Sequence, residues 1–114
     1  MQIRIRRENN ILTFSLSGEL DHHSADEVRR RMDTALLANV CKHVIFDFTG
    51  LTFMDSSGIG MLMGRNKSVE ILGGKAFIVC NGTVEKLLAM SGVFSHIKKA
   101  DSVEIIKESL RGEG

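Results

Sequence analysis

Proline is missing from all 114 residues, and so are tryptophan and tyrosine. With no proline there is no Pro-rich linker. No repeat, low-complexity tract or shift of composition divides the chain either. The expectation is a single domain over residues 1–111 with a frayed 112–114, large enough to bury roughly two-thirds of the surface its unfolded chain exposes. The only aromatic residues besides histidine are six phenylalanines, which read as core, so nucleobases would find little to stack on. Neither sign of charge dominates. A net charge of +1 argues against nucleic acid as a partner, since a binder of that kind shows a basic face and a pI above about 9. The densest basic run, Arg29-Arg30-Arg31, is flanked by Asp26, Glu27 and Asp33 and reads as a solvated helix face. No apolar run reaches the roughly 18 residues of a membrane span. Met1-Gln2-Ile3-Arg4 does not open a signal peptide, so a cytoplasmic location without membrane attachment is expected. The two cysteines, Cys41 and Cys80, have neither metal nor redox spacing and are expected to be reduced and buried.

What is present is a regular succession of elements. Ile3 and Ile5 alternate with Gln2, Arg4 and Arg6, the period of an edge strand with one wet face. Glu8-Asn9-Asn10 turns the chain, and residues 11–16 return with Leu12, Phe14 and Leu16 on one side, which predicts an antiparallel hairpin. Ser24 followed by Glu27 reads as a capping box ahead of the stripe Val28, Met32, Ala35 and Leu36, a helix ending near Leu37. Residues 43–48 and 75–80 are apolar runs suited to strands buried on both faces. A helix between them should close at Gly73-Gly74. Thr83 or a neighbour caps a short helix that stops at Gly92. A weak strand near residues 96–98 then leads to a helix from Ser102 with Val103, Ile106 and Leu110 facing in. Alternation of strand and helix predicts an α/β fold: a mixed, mainly parallel sheet with an N-terminal antiparallel edge strand and helices packed against it. Sites on such sheets gather at the carboxyl ends of strands. Residues 18–23 and 53–60 both fall there, so one rim should carry both.

Residues 53–60 read Phe-Met-Asp-Ser-Ser-Gly-Ile-Gly and place two hydroxyls and a carboxylate where a strand hands over to a helix. A helix start has unpaired N–H groups and a positive dipole end. A serine there can be a cap, a nucleophile or a phosphate acceptor. One cap needs one side chain, whereas Asp55, Ser56 and Ser57 crowd the position. If Asp55 is the cap, Met54 and Ile59 form a hydrophobic staple and Ser56 takes the first helical position; if Ser56 is the cap, its oxygen faces the N–H groups of Gly58 and Ile59. Gly58, Gly60 and Gly64 make this an unfavourable helix start, at about 1 kcal/mol per glycine relative to alanine. They let another backbone approach, either the protein's own or a partner's.

Other chemistries fit less well. Gly58-x-Gly60 with Gly64 misses the dinucleotide fingerprint, and Gly73-Gly74-Lys75-Ala76 lacks the hydroxyl that follows lysine in a phosphate-binding loop. Asp21-His22-His23, even with His43 and His96, lacks metal-ligand spacing, so neither metal nor cofactor is expected. A phosphorylated aspartate at 47 or 55 would want an acidic pair after the first strand, and none is there. A serine hydrolase using Ser56 or Ser57 with His22 is the alternative from a different class, although the first glycine of a Gly-x-Ser-x-Gly elbow is absent.

Gly-Glu-Leu-Asp-His-His at 18–23 followed by Phe-Met-Asp-Ser-Ser-Gly-Ile-Gly at 53–60 resembles the STAS family of anti-sigma factor antagonists, and within it the sporulation branch. The likeness extends over nearly the whole chain. It implies a non-enzyme that binds an ATP- or ADP-bound anti-sigma factor serine kinase, displaces the sigma factor and permits transcription. Phosphorylation by that kinase then ends the binding, and a serine phosphatase resets the switch. By resemblance the phosphate acceptor is Ser56. The partner surface comprises Asp21, His22, Asp55, Ser57, Gly58, Ile59 and Gly60, together with Met90, Ser91 and Gly92. The free protein is expected to be a monomer. Asp47 is expected beside Asp21 and Asp55, adding negative charge to the rim.

Overall fold

The computed structural model describes residues 1–39 and 41–111; the frayed end expected at 112–114 lies outside the described residues. Strands β1 (Gln2–Glu8) and β2 (Ile11–Leu20) form the antiparallel hairpin. The turn places Asn9 at φ 53, a left-handed conformation that asparagine tolerates better than most residues. Helix α1 (His22–Ala38) crosses to β3 (His43–Met54), α2 (Ser56–Ile71) to β4 (Lys75–Val79), and α3 (Gly82–Ser91) to β5 (Lys98–Ala100). Helix α4 (Val103–Arg111) ends the described chain. The sheet order is β1-β2-β3-β4-β5, and every pairing after the hairpin is parallel.

Because each strand is laid beside its predecessor in one direction, right-handed crossovers put their helices on one face of the sheet. The packing agrees. Val28 and Met32 of α1, Leu62 and Val69 of α2, and Val84 and Leu88 of α3 share one core with Leu12, Phe14, Leu16, Val44, Phe46, Phe48 and Ile78. Among the described residues, only α4 covers the opposite face, where Ile106 packs on Ile45, Phe77 and Val79, with Val103 and Leu110 at the margin.

Several elements differ from their sequence expectation. Strand β2 continues through Gly18 to Leu20, and β3 through Thr49-Gly50 to Met54. Opposite β2, β3 carries two extra residues, shifting register between Ser15 and Ser17 and between Gly18 and Glu19. These bulges re-phase the strand so that Phe48, Leu51 and Met54 are buried at a spacing of three, which hides it from a period-2 reading. They also need Gly50, since a Cβ there would stand 2.8 Å from the Leu16 carbonyl oxygen. Helix α1 starts two residues before Ser24. Its N-cap is Asp21, and Ser24 is the third helical residue that bonds back. Asn81, not Thr83, is the α3 cap, without a side-chain cap bond. β5 begins at Lys98, after a single 3-10 turn over Val93–Ser95. Of the phenylalanines, Phe94 is half-buried and Phe53 is 45% exposed; Cys80 is buried, whereas Cys41 is only half-buried.

Candidate functional site

Two helices begin side by side. Leu20 and Met54 are register partners at the last positions of β2 and β3, and the Asp55 N–H donates to the Leu20 carbonyl at 3.2 Å. The next residue of each strand, Asp21 and Asp55, is the N-cap of α1 and α2 respectively. Adjacent parallel strands lie about 5 Å apart, so two helix N-termini with two capping carboxylates form one rim.

At α1, Asp21 accepts from the N–H groups of His23 at 3.0 Å and Ser24 at 3.1 Å, while its own N–H donates to Ser24 Oγ at 3.1 Å. The Ser24 backbone bond foremost, then that of His23 and the Ser24 hydroxyl, hold the Asp21 carboxyl below its ordinary value against a smaller opposing desolvation. At α2, Asp55 accepts from the Ser57 N–H at 2.9 Å, and its carbonyl takes the Gly58 and Ile59 N–H groups at 3.0 and 3.4 Å. The cap therefore falls to the carboxylate and leaves the Ser56 hydroxyl exposed at the first helical position. Ser57 is half-buried.

The glycines divide. A Cβ at Gly58 would sit 2.8 Å from Met54 Cγ and 3.0 Å from Leu20 Cδ2, so this glycine lets α2 close onto the strand ends. Nothing lies within 4 Å of a Cβ at Gly60 or Gly64, four residues apart on the open side of α2. Neither is required by the protein's own packing. The two helices are tied further along by Arg65, largely covered, whose Nε lies 2.9 Å from Asp33 Oδ1 in an ion pair without hydrogen-bond alignment.

The rim brings together Asp21, His22, Asp55, Ser56, Ser57, Gly58, Ile59 and Gly60. Asp47 departs from expectation. Seven residues before Met54, it shares the sheet face of Ser15 and Thr13 and accepts from the Thr49 N–H and hydroxyl, at 3.1 and 2.7 Å. Met90, 88% exposed, and Gly92, at φ +83, close α3, whose hydroxyl at Ser91 bonds the Leu88 carbonyl at 2.7 Å. α3 starts after the carboxyl end of β4, so these three residues lie a helix length, about 15 Å, from that end. Two further features run against a hydrolase. The His22 ring packs on His23, centroids 4.0 Å apart, and no hydrogen bond among the described residues joins His22 to Ser56 or Ser57. Sequence reasoning missed Phe53, an exposed ring two residues before the Asp55 cap; the bulges that turn it out leave no periodic signal.

Comparison with known proteins follows the same outline. The sequence pattern of the STAS domain matches residues 2–106. An anti-sigma F factor antagonist of Paenibacillus polymyxa is 44% identical over 96 residues, covering 82% of this chain and 81% of the relative. The solved structure of the anti-sigma factor antagonist SpoIIAA in its unphosphorylated form superposes with a TM-score of 0.83 at 29% identity, covering 97% of both chains. SpoIIAA of Bacillus in its phosphorylated form gives a TM-score of 0.73 at 28% identity, covering 95% of this chain and 99% of that one.

Proposed function

The chain belongs to the STAS domain family, and from that premise we propose that it is an anti-sigma factor antagonist switched by phosphorylation of Ser56. In this reading the unphosphorylated rim binds an anti-sigma factor that is also a serine kinase, the sigma factor is released, and a serine phosphatase restores the binding form. The protein is a regulatory binding module, not an enzyme, and acts in the cytoplasm; among the described residues no helix is long and apolar enough to cross a membrane. The observation that carries the proposal is the exposed Ser56 hydroxyl, left free because Asp55 performs the cap.

That division of labour explains how one phosphate acts. The N–H groups of Ser57, Gly58 and Ile59 are already engaged by Asp55, so a phosphate on Ser56 finds few donors of the first α2 turn to hold it and is presented to solvent. It brings about −1.5 to −2 charges to a face that already holds Asp21 and Asp55. A kinase cleft containing nucleotide phosphates and a catalytic carboxylate would then meet like charge. An interface penalty of about 3 kcal/mol weakens binding by roughly a hundredfold, enough for a switch. Gly60, with open space above it, admits the cleft wall, and Ser57, Ile59 and His22 frame the contact. Met90, Ser91 and Gly92 are proposed as a secondary contact of the same partner.

Intact-mass measurement after incubation with the anti-sigma kinase and ATP tests the assignment. One phosphate mapping to Ser56 and absent from Ser56→Ala is expected. Ser56→Ala should still bind the kinase, and Ser56→Asp should bind roughly tenfold or more weakly with unchanged circular dichroism. Phosphate on Ser57 would move the acceptor. Labelling of Ser56 by a fluorophosphonate, with no phosphate transfer, would favour the hydrolase instead.

A further inference from the structure

We propose that the open face of the sheet between β1 and the start of α4 is a binding site for a small zwitterion, a molecule that carries one carboxylate and one ammonium group on a short chain. The site lies on the α4 side of the sheet, opposite the Ser56 helix, and does not depend on the reading of the rim.

Strand register builds the site. Arg4, Ser15 and Asp47 are partners in one row across β1, β2 and β3, and Arg6 and Thr13 are partners in the next row. Side chains two apart on a strand share a face, so these residues stand together on the side that α4 covers only in part. The start of α4 closes the pocket with Asp101 and Glu104. Its volume of about 340 Å³ falls within the range of small-molecule sites, about 300–1,000 Å³.

Two observations separate this pocket from an ordinary solvated surface. The first is a hydroxyl. Thr13 lines the pocket yet is only 7% exposed, and its side chain makes no hydrogen bond among the described residues. A buried hydroxyl without a partner is unfavourable, and valine would fill the same space without that cost. The second is a set of facing charges that do not meet. Arg4 and Arg6 line the pocket together with Asp47, Asp101 and Glu104, and none of these groups forms an ion pair among the described residues. Lys107, also at the pocket, is taken by Glu8 at 2.9 Å. Arg4 and Asp47 stand two strand spacings apart, about 10 Å, with Ser15 between them. Both Thr49 bonds to Asp47 fall on Oδ1, and Oδ2 has no hydrogen bond among the described residues.

Opposite charges facing across a gap select the ligand. A simple anion drawn to the two arginines would also meet three carboxylates, and a simple cation drawn to the carboxylates would meet the arginines. A zwitterion finds the opposite sign at both ends. Its planar carboxylate suits the guanidinium forks of Arg4 and Arg6. Its ammonium group donates to Asp47 Oδ2 and to the carboxylates at the start of α4. The Thr13 and Ser15 hydroxyls then lie beneath the chain that joins the two ends.

The full-length protein should be titrated with β-alanine, 4-aminobutyrate and 6-aminohexanoate, which carry the two charges at increasing separation, while backbone amide shifts are recorded. At least one of the three is expected to saturate, moving the amides of Thr13, Ser15, Asp47 and residues 101–104 and leaving those of residues 56–60 in place. Butyrate and butylamine, each with one of the two charges, should bind at least tenfold more weakly. Thr13→Val should bind the same zwitterion about tenfold less well than the wild type. If that variant fails to fold, Arg4→Gln/Arg6→Gln, altered only at exposed side chains, serves in its place with the same expected direction. The proposal is overturned if none of the three compounds saturates, if butyrate or butylamine binds as tightly as the zwitterion, if the shifts are confined to residues 56–60, or if the folded variant binds undiminished.

Discussion

At the scale of single residues, chemistry that looks uniform in the sequence is divided by its surroundings. Gly58 and Gly60 occur two apart in one helix start, and composition alone treats them alike. Packing separates them. Alanine at Gly58 recovers about 1 kcal/mol of helix propensity but drives a methyl into Met54 and Leu20, and overpacking of a closed core costs about 1–3 kcal/mol. The net expectation is a loss of about 1 kcal/mol in urea unfolding. Gly60→Ala meets nothing and should gain about 0.5–1 kcal/mol while weakening kinase binding. A variant that is more stable yet binds less well is what a partner-facing glycine predicts. The cysteines divide in the same way. Burial pushes the Cys80 thiol up to about 11, so it should resist alkylation near pH 8 until the fold opens, with Cys41 labelling first.

At the scale of elements, what was legible was the existence and order of strands and helices, because buried stripes at period 3.6 or 2 survive in the sequence. What was not legible were the ends that make the site. Ser24 looked like a cap because serine precedes glutamate by three, yet Asp21 captures two N–H groups and turns Ser24 into its reciprocal partner. This exchange has a pH signature. A carboxyl held below its ordinary value of 3.8 contributes stability that is present above that value and lost as pH falls through the lower folded value. Asp21→Asn keeps a capping oxygen without the titration. Its melting temperature should therefore fall less steeply in acid than that of the wild type. The far side of the sheet makes a separate prediction. Ile106 anchors α4 on a small core of its own, so Ile106→Ala should cost about 2–3 kcal/mol and expose α4 amides to exchange first. Kinase binding should not change, because α4 and the Ser56 helix lie on opposite faces of the sheet.

At the scale of the whole molecule, a net charge of +1 concealed where the charges stand: two carboxylates cap the neighbouring helix starts, whereas Arg4 and Arg6 of β1 share a pocket with Asp47, Asp101 and Glu104. Formal charge sums over the chain, whereas the sheet sorts residues by strand end and strand edge. Asp47 shows the limit of reasoning by proximity in sequence: it belongs to the right strand but faces away from the rim. The strand order β1-β2-β3-β4-β5 has another consequence, one that concerns time. Each strand pairs with the one made just before it, so no strand must wait for a later one to find its first partner. Chains fold from the N-terminus as they leave the ribosome. Both helix starts and both capping aspartates are in place once α2 has emerged at Ile71, before β4, β5 and α4 have left the ribosome. Newly made protein would thus acquire the proposed recognition surface before its last strands, and the proposed kinase partner would meet that surface on a nascent chain.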